Sequence, residues 1–170
     1  MECRIFLASL TAHTNGMIDG EWIDLTDNNA KDEIKAFMDE REGHEFFIAD
    51  SSTSVAMDIG EYDDPFYLVD FVKRLEDLDE TQLEAYEAIM NESGWCREEA
   101  LDKAESWEFD VIDWDCASVE KSVGRYYAEL SEFLDYDETI RRYFDYESYG
   151  RDLCINNYVC DNGKTIFVLH

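Results

Sequence analysis

Forty-two Asp and Glu against fourteen Lys and Arg make the carboxylate the reactive group this chain holds in abundance. Paired carboxylates can serve as general acid and base, but at this density chance sets many pairs at working distance, and no motif surrounds any one of them. Calcium binding is the second chemistry to weigh. In the best loop, Asp113 to Gly124, Asp113 and Asp115 fill positions one and three. Position five is Ala117, Ser118 stands where the turn needs glycine, and Gly124 where a bidentate glutamate belongs, so the EF-hand reading fails. His13, His44 and His170 show no HxxE or HExxH spacing and read as solvated residues near turns. Phosphate-binding glycine loops and nucleophile elbows are absent from the sequence. No catalytic residue, metal or cofactor is expected.

The five cysteines, Cys3, Cys96, Cys116, Cys154 and Cys160, form an odd set without a CxxC pair and read as buried, reduced thiols. Glu2 stands where a signal peptide would be basic, and no apolar run approaches the roughly 18 residues of a membrane span, so a cytoplasmic protein is expected. The formal charge of -28 excludes direct nucleic-acid binding and anionic membrane surfaces, and it calls for basic partners or binders of polyanions. With 45% hydrophobic and 14% aromatic residues the chain should nevertheless fold.

The elements that must carry these carboxylates read as α+β. Arg4 to Leu10, Glu21 to Leu25 and Glu45 to Asp50 are apolar strands, and Thr11 to Asp19 is turn-rich. A helix runs from an Asn29 cap to about Arg41. Asp64 before Pro65 marks a helix start, and helical spacing continues to Ser106, with Asp79 and Gln82 resembling a capping box. Trp107 to Trp114 alternates as a strand, and Ala117 to Leu130 carries an amphipathic stripe. Helical turns follow from Asp137 to Arg151, and Asp161-Asn162-Gly163 marks a hairpin.

Three small units in series are expected, at 1–64 (small antiparallel sheet plus helix), 65–106 (helical) and 107–170 (α+β), forming an elongated, strongly acidic chain. They hold 16 acids and 4 bases, 12 and 4, and 14 and 6, so their net charges are -12, -8 and -8. The charge therefore belongs to every unit and not to a tail. Its densest clusters are Asp39, Glu40 and Glu42; Asp58, Glu61, Asp63 and Asp64; and Glu76, Asp77, Asp79, Glu80 and Glu84. Duplex DNA carries one charge per roughly 1.7 Å of axis, so 28 charges match about 48 Å, on the order of 14 base pairs. The arithmetic permits DNA mimicry.

Gly124-Arg125-Tyr126-Tyr127, followed by the run from Tyr143 to Leu153 with its Tyr149-Gly150-Arg151-Asp152-Leu153, resembles the ArdA antirestriction proteins of mobile genetic elements. So do Ile5 to Leu10, Asn15-Gly16 and Gly20-Glu21-Trp22 near the start. The resemblance implies a non-enzymatic, homodimeric DNA mimic that occupies the DNA groove of type I restriction-modification enzymes, at the methyltransferase core with its specificity subunit. It also implies three small domains with the dimer contact in the last. On this chain that contact falls at Ala117, Val119, Val123, Tyr126 and Tyr127, and the antirestriction region at Leu130 to Tyr143, where Asp135, Asp137 and Glu138 keep it acidic. The tyrosines also read as core packing, and Arg125, Arg141, Arg142 and Arg151 as internal partners of carboxylates. Two other readings stay open: an acidic module for some other basic DNA-binding protein, and a hydrolase using a carboxylate pair.

Overall fold

A computed structural model describes residues 1–92, 94–131 and 138–170, with backbone alone at Glu138 and Ile140. It is mixed α+β, with a three-stranded antiparallel sheet in each of two compact units, Met1–Asp79 and Glu80–His170.

In the first unit the order is β1 (Cys3–Ser9), α1 (Leu10–Thr14), β2 (Gly20–Asp24), α2 (Ala30–Asp39), β3 (Phe46–Thr53) and α3 (Pro65–Glu76). β1 lies between β2 and β3. Its alternation sends Cys3, Ile5 and Leu7 into a core shared with Ile34 and Phe37 of α2 and with Leu68, Val69 and Val72 of α3. Each fully buried aliphatic or aromatic side chain there contributes about 1.5–3 kcal/mol before chain entropy is charged against it. The β1–β3 register slips between Phe6, opposite Asp50, and Leu7, opposite Ile48, which leaves Ala49 as the extra residue of a bulge.

The helix starts have local causes. Asp64 Oδ1 accepts the Phe66 N–H at 2.9 Å with Pro65 at the first helical position, as expected. Asn29 does precede α2, but its side chain makes no capping bond. The turn there is held one step earlier, where Asp27 Oδ1 accepts the Asn29 N–H at 2.9 Å. Leu10, read as the end of the first strand, and Thr11 to Thr14, read as turn, instead close into a short helix in which Ser9 Oγ accepts the Ala12 N–H at 3.0 Å.

The second unit runs α4 (Glu80–Asn91), α5 (Arg97–Ser106), β4 (Phe109–Asp113), α6 (Val119–Leu130), α7 (Glu138–Tyr143), α8 (Tyr146–Asn156), β5 (Tyr158–Asp161) and β6 (Thr165–Leu169). β6 is central, between β4 and β5. The β5–β6 turn is the expected one: Asn162 Oδ1 accepts the N–H groups of Lys164 and Thr165, and Gly163 takes φ +84°. Gln82 Nε2 donates to the carbonyls of Ala104 and Glu105, satisfying the C-terminal end of α5. Segment 65–106 is thus divided, α3 lying in the first unit and α4 and α5 in the second. Among the described residues no helix is long and apolar enough to cross a membrane.

Candidate functional site

Among the described residues no Asp or Glu is buried; the buried hydroxyls are those of Ser9, Ser122 and Tyr86. The cores hold mainly apolar side chains, and the described carboxylates lie outside them. The first unit has 20 carboxylates and 6 Lys or Arg, and the second 22 and 8, so each carries a net -14.

The singled-out carboxylates sit where helices end and loops turn. Asp39 closes α2 in an ion pair with Lys35, Glu40 is the residue after the helix, and Glu42 follows it, all exposed. Asp58, Glu61 and Asp64 are exposed in the connection before α3, while Asp63 is half-buried and its Oδ2 accepts the Gly60 N–H at 3.0 Å. Glu76, Asp77, Asp79 and Glu80 are exposed between α3 and α4, and Glu84 accepts from Asn162 Nδ2 at 3.2 Å. Asp135 and Asp137 lie outside the described residues, and of Glu138 only the place at the start of α7 is given. Among the described residues no three His, Cys, Asp or Glu side chains converge to hold a metal ion.

One contact has the reach of a nucleophile and its base, Ser9 Oγ to His44 Nδ1 at 2.8 Å. Ser9 is fully buried and its hydroxyl already caps α1, so the pair is structural. His13 and His170 are exposed, as expected, and His44 is less solvated than expected. His44 is half-buried in this bond, the His13 ring lies 5.5 Å from that of Phe47, and His170 Nε2 is 3.0 Å from Asp110 Oδ2.

Several cations are tied to carboxylates, among them Lys31, Lys35, Arg41, Arg97, Lys103 and Arg125, and the Arg41 tie was not legible in the sequence. Arg41 holds Asp19 in a fork, Nε to Oδ2 at 2.9 Å and Nη2 to Oδ1 at 2.8 Å, while Nη1 donates to the Phe37 carbonyl at 2.9 Å. Its guanidinium also lies 3.8 Å above the Phe37 ring. The Arg41 hydrogen bond holds the Asp19 carboxyl below its ordinary range. Arg125 likewise bridges Asp115 at 3.0 Å and Glu129 at 3.1 Å. Arg151 reaches Glu147 at 3.9 Å, and both side chains are exposed on α8.

The glycines in the Gly124 and Gly150 motifs have a shared cause. A Cβ on Gly124 would stand 1.9 Å from the Tyr146 carbonyl oxygen, and one on Gly150 would stand 1.7 Å from that of Glu120. α6 and α8 therefore cross with their backbones in contact, each at the other's glycine. Tyr126 and Tyr127 pack from α6 against Ile112, Val123, Ile166 and Val168. The Tyr127 hydroxyl donates to Asp110, and burial first, then that bond, pushes its phenol pKa up. Of the residues tied by resemblance to a dimer contact, Val123 is fully buried in its own unit, Val119, Tyr126 and Tyr127 are half-buried, and Ala117 is exposed.

All five cysteines are free, and only two are buried. Burial raises the thiol of Cys3 to about 11 and that of Cys160 to about 12. Cys96 is exposed at the start of α5, contrary to the expectation of uniformly buried thiols: the cap position lies at the surface, where its amide meets Glu99 Oε2 at 3.4 Å.

A family model described as antirestriction protein (ArdA) matches residues 5–165. A search of curated proteins finds no match.

Proposed function

Because the chain belongs to the ArdA antirestriction family, we propose that it blocks type I restriction-modification enzymes by taking the place of DNA in their groove, without a chemical step. The observation that carries this reading is the placement of charge: a net -14 on each folded unit, with no described carboxylate in either core. Carboxylates held on folded faces stand in for phosphates without paying the ordering entropy of a flexible tail. Arg41 and Arg125 support the arrangement by fixing loops and helix faces through carboxylates rather than presenting free cations.

The partner is the methyltransferase core with its specificity subunit, whose DNA channel is basic and complementary in sign. The inhibitor acts as an elongated homodimer in the cytoplasm, with the contact in the second unit at exposed Ala117 and the half-buried stripe of Val119, Tyr126 and Tyr127. Competition with DNA for a purified type I methyltransferase tests the reading. Excess protein should displace the DNA, less effectively as salt rises; undiminished DNA binding under excess protein would sink it. Displacement from histone-like proteins, with none from the methyltransferase, would instead favour an acidic module for another basic DNA-binding protein.

A further inference from the structure

The outer face of the first sheet carries an apolar patch that a phosphate-like surface does not need. Phe6 and Trp22 pair across β1 and β2 with ring centroids 5.5 Å apart, on the face opposite buried Ile5, Leu7 and Ile23. Beside them, in the turn after α1, Met17 is 58% and Ile18 89% exposed, and Trp22 is 42% exposed. A cleft of about 300 Å³ opens along this face, with Phe6, Met17, Ile18 and Phe47 in its wall. Ile18 buries almost nothing in the fold, so packing gives no reason for its size. Exposed apolar side chains gathered around a cleft mark a contact surface.

The rim is acidic. Asp50 lies opposite Phe6 on β3 and Asp24 opposite Arg4 on β2, on the same face as Phe6 and Trp22, with Arg4 5.8 Å from the Trp22 ring; the Asp19 carboxylate beside Ile18 is taken up by Arg41. The acidic rim calls for Lys or Arg beside the apolar side chains of its occupant, which a second copy of a chain with 42 Asp and Glu against 14 Lys and Arg is poorly supplied to give.

We infer that this patch anchors a segment of the restriction-modification enzyme that inserts one or two large apolar side chains, flanked by Lys or Arg, into the cleft beside Met17 and Ile18. The inference rests on the enzyme partnership proposed above and adds to it a contact that charge does not supply. Apolar burial is insensitive to ionic strength at these concentrations, whereas the carboxylate contacts weaken with salt.

The test measures binding of the full-length protein to a purified type I methyltransferase at several salt concentrations, with DNA displacement read in parallel. The single variant I18S removes a side chain that is 89% exposed, so its thermal unfolding should match the wild type, and M17S/I18S extends the loss to the partly covered Met17. The affinity of the double variant should fall about tenfold at every salt concentration, with an unchanged slope of log affinity against log salt. Unchanged affinity overturns the anchor, as does a change in the protein's own sedimentation with enzyme affinity intact, which would give the patch to a second copy. Wild-type binding without DNA displacement refutes the mimicry alone; no wild-type binding at all refutes both.

Discussion

Replacing Gly150 by Ala puts the α6–α8 crossing to its severest test. The new Cβ would lie 1.7 Å from the Glu120 carbonyl oxygen and 2.7 Å from the Gly124 nitrogen, all of it backbone that no rotamer change can move aside. A close carbon–oxygen contact needs about 3.3 Å, so the helices must part by roughly 1.5 Å. Overpacking of a sound core costs about 1–3 kcal/mol, and this site belongs at the top of that range. Against it stands a gain of about 1 kcal/mol, because Ala is the better helix former. A net loss of about 2 kcal/mol follows, or roughly 4–8 °C in Tm for a chain of this length. Urea unfolding of Gly150→Ala, followed by circular dichroism and tyrosine fluorescence, measures it. Gly124→Ala should behave alike, its Cβ meeting the Tyr146 carbonyl at 1.9 Å. Stability equal to or above the wild type in either variant would show that the backbones do not touch as described.

Two further outcomes concern pH. The buried thiols of Cys3 and Cys160 are raised to about 11 and about 12, so the folded state prefers them protonated; the stability this gives is whole below the unfolded thiol pKa and is lost as pH rises from about 9 through about 11 for Cys3 and about 12 for Cys160. Urea midpoints should fall across that window, less steeply in Cys160→Ala, while native-state thiol labelling should modify exposed Cys96 first; equal labelling of Cys96 and Cys160 would refute the burial. Asp19 is shifted the other way, so the contribution of the Arg41 fork is present above about pH 4 and disappears as pH falls through the depressed value. Asp19→Asn should flatten the acid limb of the stability profile, and an unaltered limb would place the stabilisation elsewhere.

The parts of this fold written in local chemistry were legible. Asp64-Pro65 starts α3, Asn162-Gly163 turns β5 into β6, and the alternation of Cys3, Ile5 and Leu7 gives β1 its buried face. α1 was not, because a five-residue helix has no periodicity to read and its cap, Ser9, also ends a strand. The allegiance of α3 was hidden for another reason: an apolar stripe shows that a helix must pack, not what it packs against. The same ambiguity covers Val123, whose place in the α6 stripe reads equally as a contact between copies or with its own sheet, and which lies in the core of its unit. Surface carboxylates were foreseeable from charge alone, since a carboxylate is costly to bury. The Arg41–Asp19 fork joins residues far apart in sequence, and the two helix glycines make sense only once the helices are seen to cross.

The crossing also bears on the order in which the second unit opens. The amides of Gly124 and Gly150 each lie under the other helix, shut off from solvent by a backbone and not by side chains that can hop aside. Deuterium reaches such amides only when the helices separate. Gly124 and Gly150 should be among the last amides of the unit to exchange, later than those of β4 and β5 at the sheet edges, and their exchange should follow the global opening of the unit rather than local fraying.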